Sequence, residues 1–156
     1  MDVRDWTADL IESDRLMAEL QTILSPEVLA PLPPSMQMTN GGVRDWISAL
    51  ERQAQCLVIR REEQMIGLLI LADTGDAEIP TLHIGYLLGE AEWGQGFTSE
   101  LVRGLIEVVS LRRPIRLVAC VARDNPASAR VLLKAGFASD PGLSSEETEM
   151  FQRRIG

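Results

Sequence analysis

Seven residues, Trp93-Gly94-Gln95-Gly96-Phe97-Thr98-Ser99, stand between an apolar run of strand length and a long amphipathic run. Glycines at such a junction let the backbone turn tightly and bring bare N–H groups close to a ligand. The N-terminus of the following helix adds unpaired donors and the positive end of its dipole. Together these make a cradle suited to phosphate or pyrophosphate. Downstream, Asn125-Pro126-Ala127-Ser128 opens a further helix, with asparagine as cap and proline in the first turn.

The elements that must hold this turn are legible in the periodicity. Trp6 to Leu24 has apolar residues at helical spacing (Leu10, Met17, Leu20, Ile23, Leu24), with Ser13 or Asp14 able to cap a helix within it. Pro26, Pro31, Pro33 and Pro34 make the stretch to Gly42 an irregular connection. Its Met36 and Met38 are expected either to line a pocket or to be surface or core filler. Val43 to Gln53 is a second helix, with Val43, Trp46, Ile47 and Leu50 on one face. Cys56–Arg61 and Met65–Ala72 form an antiparallel hairpin about Glu62-Glu63-Gln64, and Thr81–Leu88 completes a meander. A helix from about Thr98 to Leu111 follows, with Leu101, Val102, Leu105, Ile106, Val108 and Val109 in its apolar stripe. Arg112 and Arg113 complement its negative end. Ile115–Ala122 is a strand covered on both faces, Asn125 to about Lys134 a helix stopped by Gly136, and Glu149–Ile155 a closing strand. The order implies an α+β or mixed α/β sheet with one parallel crossover at the glycine turn.

Composition narrows the partners. With 156 residues the chain can bury roughly 68–70% of its unfolded surface as one domain. A net charge of −8 argues against nucleic acid and favours a cationic or amine-bearing partner. No apolar run has the length of a membrane span, and Met1–Asp5 lacks the layout of a signal peptide. The expected location is the cytoplasm. Cys56 and Cys120 lie in apolar runs and read as buried thiols, and with the single histidine, His83, they offer no metal-ligand spacing. The expectation is a metal-free protein. The oligomeric state is open, a homodimer included.

A Walker P-loop is excluded, because no Gly-Lys-Ser/Thr follows the glycines. A Rossmann fingerprint is approximated by Gly94-x-Gly96-x-x-Ser99, but such a turn follows the first strand of a doubly wound sheet, and here a meander precedes it. The third reading rests on several motifs in order: Ile84-Gly85-Tyr86-Leu87-Leu88, Glu92 to Glu100, Asn125-Pro126-Ala127-Ser128 and Lys134-Ala135-Gly136-Phe137. Over about 56–137 these resemble the GNAT N-acetyltransferases, most closely the RimJ/RimL-like branch.

That resemblance implies an acyl-CoA N-acyltransferase fold: a mostly antiparallel twisted sheet with one splayed parallel pair and about four flanking helices. It implies a single domain, with an acceptor-side region at 1–55, an acetyl-CoA-binding core at 56–137 and a closing strand region at 138–156. It places the pyrophosphate of acetyl-CoA on the N–H groups of Gly94, Gln95, Gly96, Phe97, Thr98 and Ser99, behind Trp93. Tyr86, Leu87 and Leu88 would hold the pantetheine, with the Leu87 amide as oxyanion donor. Asn125 would contact the same arm, or simply cap its helix.

In this branch a glutamate often precedes Ile-Gly-Tyr, and His83 stands there instead. Strand alternation puts His83, Gly85 and Leu87 on one face, and histidine as a residue type is suited to proton transfer near neutrality. A structural histidine is the competing reading. The tyrosine that many relatives place seven residues after the asparagine is replaced by Leu132, which leaves Ser128 or water to protonate the thiolate. The expected reaction is acetyl transfer to a primary amine by direct attack, the acceptor being a small molecule or a peptide. The alternative is a non-catalytic acyl-CoA-binding or sensing module.

Overall fold

The computed structural model describes residues 2–5, 14–33, 36–38, 42–73 and 78–156. Their elements, in chain order, are β1 (Asp2–Asp5), α1 (Asp14–Ile23), α2 (Pro26–Leu29), α3 (Gly42–Gln53), β2 (Gln55–Arg61), β3 (Gln64–Asp73), β4 (Thr81–Leu88), α4 (Phe97–Val109), β5 (Ile115–Ala122), α5 (Pro126–Lys134), β6 (Ala138–Ser139) and β7 (Thr148–Ile155). Two compact units are formed, Met1–Leu71 with Tyr86–Trp93, and Ala72–Gly85 with Gly94–Gly156. The residue-by-residue strand order is β1-β2-β3-β4 in the first and β4-β5-β7-β6 in the second.

In the first unit, β2 and β3 form the expected hairpin, Arg61 opposite Gln64. Glu62 and Glu63 both adopt positive φ (52° and 66°), the conformation that a two-residue turn between twisted strands demands. Arg60 Nη1 donates to the Glu63 carbonyl at 3.0 Å across it. β1 pairs antiparallel with β2, Val3 opposite Ile59. The expected first helix is seen as α1, while Trp6, Leu10 and Ser13 lie outside the described residues. Its Leu16, Met17, Leu20 and Ile23 are buried with Trp46 and Ile47 of α3 and with Val58 and Leu68 of the hairpin.

The proline-rich connection is built into this core. Ser25 caps α2 through its hydroxyl, with Pro26 in the first turn. Val28, Leu32 and Met36 are buried, and Met38 packs against the cluster, so both methionines serve packing. Trp46 Nε1 donates to the Met36 carbonyl at 2.9 Å in the interior. Trp46→Phe keeps an aromatic ring, smaller than the indole, but strands that buried carbonyl. The expected loss is about 1–3 kcal/mol, read as a lower midpoint in urea with an unchanged slope.

Cys56 is 2% exposed, and burial followed by the nearby Glu51 carboxylate pushes its thiol up to about 12. Burial also raises the Glu51 carboxyl. An ordinary thiol ionises near 9.0, so the neutral Cys56 favours the fold below that pH and this contribution is lost as pH rises towards 12. Native protein at pH 8 is expected to be alkylated by iodoacetamide at half-buried Cys120 well before Cys56. Peptide mass mapping checks the order, and equal rates at both would contradict it.

In the second unit, β4 and β5 are parallel, from Thr81 opposite Arg116 to Ile84 opposite Ala119. This is the crossover expected at the glycine turn. The ladder ends there, although β4 continues to Leu88 and β5 to Ala122. β7 pairs antiparallel with all of β5, and two-residue β6 adds to its far edge. Leu117, Leu132 and Phe151 are at most 1% exposed and form the centre of the core. The end of α5 is a glycine stop, with Gly136 at φ 89° and the Phe137 N–H donating to Leu132 O at 3.0 Å. Among the described residues there are five α-helices, four of nine or more residues and the four-residue α2, against about four expected.

Candidate active site

The approach to the glycine turn is a single 3-10 turn, Glu90–Glu92. It closes with the Trp93 N–H on Glu90 O at 3.1 Å. The Trp93 indole N–H donates to the Leu88 carbonyl at 3.0 Å, and the ring remains 46% exposed. Two ties therefore fix Trp93 although it lies on the surface. Arg61 faces Glu92 at 3.7 Å, a half-exposed pair worth at most about 1 kcal/mol.

Gly94 (φ 75°) and Gly96 (φ 80°) both take the left-handed conformation that favours glycine. A Cβ built on either meets nothing within 4 Å, so each faces open space. Gly96 is the cap of α4 and supplies no side-chain hydrogen bond. The first bond inside the helix is donated by Glu100 to the Gly96 carbonyl at 3.0 Å, which leaves the N–H groups of Thr98 and Ser99 with no acceptor within the helix. A glycine turn running into a helix start without a side-chain cap suits a pyrophosphate, whose oxygens need several converging donors. Arg103, one turn further on, directs its Nε to the Ser99 carbonyl at 3.4 Å.

His83 is half-buried on β4 in register with Val118. Exposure along β4 does not alternate strictly: Thr81 and Ile84 are buried, as are Leu87 and Leu88, while His83, Gly85 and Tyr86 are half-covered. Asn125 caps α5, its Oδ1 accepting from the Ser128 N–H at 3.3 Å. That occupies the carbonyl oxygen and leaves the two Nδ2 hydrogens as donors. Ser128 is half-buried in the first turn of α5, and Leu132, about two turns on from Asn125's cap, is wholly buried. Leu132 is a packing residue and offers no proton.

The second unit thus holds His83, Asn125, Ser128 and the turn from Gly94 to Ser99, and the first holds Tyr86, Leu87, Leu88 and Trp93. One further residue, packed against the end of β4, carries no expectation from the sequence. Gly67, in mid-β3, has no room for a side chain against Leu87 and Leu88. A lone glycine inside an apolar strand is the available signal, since it often marks a close backbone approach. Among the described residues no cluster of three or more metal-ligating side chains occurs, and no helix is long and apolar enough to cross a membrane.

Comparison with known proteins agrees with this geometry. The sequence profile of the acetyltransferase (GNAT) domain matches residues 3–138. The ribosomal-protein-serine acetyltransferase of Escherichia coli K12 is 30% identical over 95 residues, 60% of this chain. The match takes in 52% of that relative, so the chain spans about half its length. Among solved structures, the Salmonella typhimurium acetyltransferase that modifies the N-terminal serine of ribosomal protein L7/L12 superposes with a TM-score of 0.70, at 22% identity, over 99% of this chain and 94% of that one. A RimL acetyltransferase in complex with coenzyme A superposes with a TM-score of 0.71, at 20% identity, over 98% of this chain and 93% of that one. At such identities the structures speak for the fold, and the profile speaks for the family. By sequence profile and by fold, the chain belongs to the GNAT acetyltransferase domain family, and it is similar to the RimJ/RimL-like proteins within it.

Proposed function

We propose that this chain, acting as one acyltransferase domain in the cytoplasm, moves the acetyl group of acetyl-CoA to a primary amine by direct attack in a ternary complex. The observation that carries the reading is the pair of left-handed glycines, Gly94 and Gly96, opening onto the uncapped start of α4. In this reading the N–H groups from Gly94 to Ser99 hold the pyrophosphate, beside Trp93. An N–H at the end of β4, within Tyr86–Leu88, polarises or positions the acyl-CoA arm. Asn125 Nδ2 donates to the same arm. His83 takes a proton from the attacking ammonium, and Ser128 or water returns one to the departing thiolate.

The acceptor is an amine on a peptide N-terminus or a small molecule. Two considerations favour a cationic peptide. The curated relative acts on a ribosomal-protein serine. The first unit also carries thirteen of the 23 acidic residues and only six of the 15 basic ones, so most of the net negative charge is there. The test is thiol release from acetyl-CoA against a panel of N-terminal peptides, polyamines and amino acids. Turnover with any amine above the hydrolysis background supports the transferase. Tight CoA binding without turnover on the whole panel would favour the sensing module instead.

A further inference from the structure

We infer that the outer face of α4 is the interface of a homodimer, in which a second copy of this chain packs its own α4 antiparallel against the first. The helix buries Leu101, Val102 and Val109 within its own unit. Val108 belongs by sequence to the same apolar stripe, yet it stands 65% exposed. Leu111, in the 3-10 turn that continues α4, is 86% exposed. These are the two most exposed large hydrophobic side chains among the described residues. Gly104 lies one turn before Val108, and a Cβ built on it meets nothing within 4 Å. At 3.6 residues per turn, Gly104, Val108 and Leu111 fall within about 60° of one another and form one stripe along the outside of the helix. Apolar side chains scattered singly over a surface need no explanation, but a contiguous stripe marks a contact with another molecule.

The flanking charges identify that molecule as a second copy. Arg103 and Glu107 lie one turn apart on the same flank of the stripe, and both are exposed. A two-fold axis between two such helices brings like flanks together in opposite directions. Arg103 then meets Glu107 of the partner subunit, and Glu107 meets the partner's Arg103. The same register sets Val108 over the partner's Gly104, where the missing side chain leaves a hollow for it. Each contact occurs twice, so the face is complementary to itself. Antiparallel packing also opposes the two helix dipoles. It holds the two glycine turns at opposite ends of the interface, roughly 30 Å apart along the helices, so both remain open to a ligand. Parallel packing would crowd their positive ends together.

Sedimentation equilibrium of the whole chain in reducing buffer tests the interface without any substrate, so the result stands whether or not an amine is turned over. Wild-type protein is expected to form a dimer with a Kd of about micromolar or tighter. Val108→Asp combined with Leu111→Asp places charge at the centre of the interface and should raise that Kd at least about 10²-fold. Both side chains are exposed in the single chain, so its fold persists, which circular dichroism checks. Arg103→Glu sets like charges in contact at two places and should weaken the dimer roughly tenfold. Adding Glu107→Arg to it restores the pairing with the signs exchanged, and wild-type association is expected to return. A wild-type chain that stays monomeric up to about 0.1 mM overturns the inference. So does a dimer that the aspartate pair leaves intact. Loss with the aspartates but no rescue by the charge exchange overturns the antiparallel register, and with it the interface inferred.

Discussion

Gly96→Val is expected to abolish acetyl-CoA binding while the fold persists. Gly96 has φ 80°, where a side-chain-bearing residue is disfavoured by about 1–2 kcal/mol, and a β-branched one by more. A domain of this size tolerates that loss. Binding does not, because the new side chain projects into the open space before the uncapped start of α4, where nothing now stands within 4 Å. Hydrogen bonds to a charged phosphate are worth about 1.5–3 kcal/mol each, so losing two of them weakens binding by at least about 10²-fold. Calorimetric titration with coenzyme A measures the affinity, and the melting temperature without ligand measures the fold. Gly104→Ala is the control. It lies in mid-α4 with no crowding and should retain binding. A Gly96→Val protein that binds coenzyme A as tightly as wild type would remove the cradle from consideration.

What the sequence made legible, and what it hid, follows from the range of the forces involved. β5 spans Ile115–Ala122 as expected because a run of apolar residues buried on both faces carries its own signal. The Asn125-Pro126 start and the Gly136 stop of α5 are equally local, each set by backbone chemistry within one turn. β1 was not anticipated. Its residues, Asp-Val-Arg-Asp, have one apolar side chain among charges, and the strand exists through its pairing with β2. β6 has two residues, too few for any period, and is held by β7. The proline-rich connection was expected to be irregular, yet its buried residues Val28, Leu32 and Met36 are part of the core. Their four-residue spacing would suit a helix, but Pro31, Pro33 and Pro34 forbid a continuous one.

The candidate site divides in the same way. The glycine turn is a contiguous motif, so its conformation could be anticipated from residue type alone. Gly67 was hidden because its importance depends on a carbonyl that approaches from twenty residues further along the chain. No pattern within β3 encodes that approach beyond the missing side chain. The buried Trp46–Met36 hydrogen bond is of the same kind. It joins a helix to a loop whose prolines interrupt regular structure.

His83→Ala is expected to lower kcat with the best amine by about 10²–10⁴-fold, the usual range for loss of a positioned proton acceptor. KM for acetyl-CoA should change little, because the proposed pyrophosphate donors lie in a different segment, Gly94–Ser99. His83 is half-covered on β4, neither fully buried nor a surface residue. No carboxylate stands at its position to serve as the base. The competing role is structural, since Val118 is its register partner and loss of the ring also leaves a gap. His83→Gln separates the two. Glutamine refills much of the volume and can hydrogen-bond, but it cannot accept the ammonium proton at neutral pH. If His83 is the base, both variants are slow and only alanine melts lower. A glutamine variant with wild-type kcat would assign the residue to packing and leave deprotonation to water.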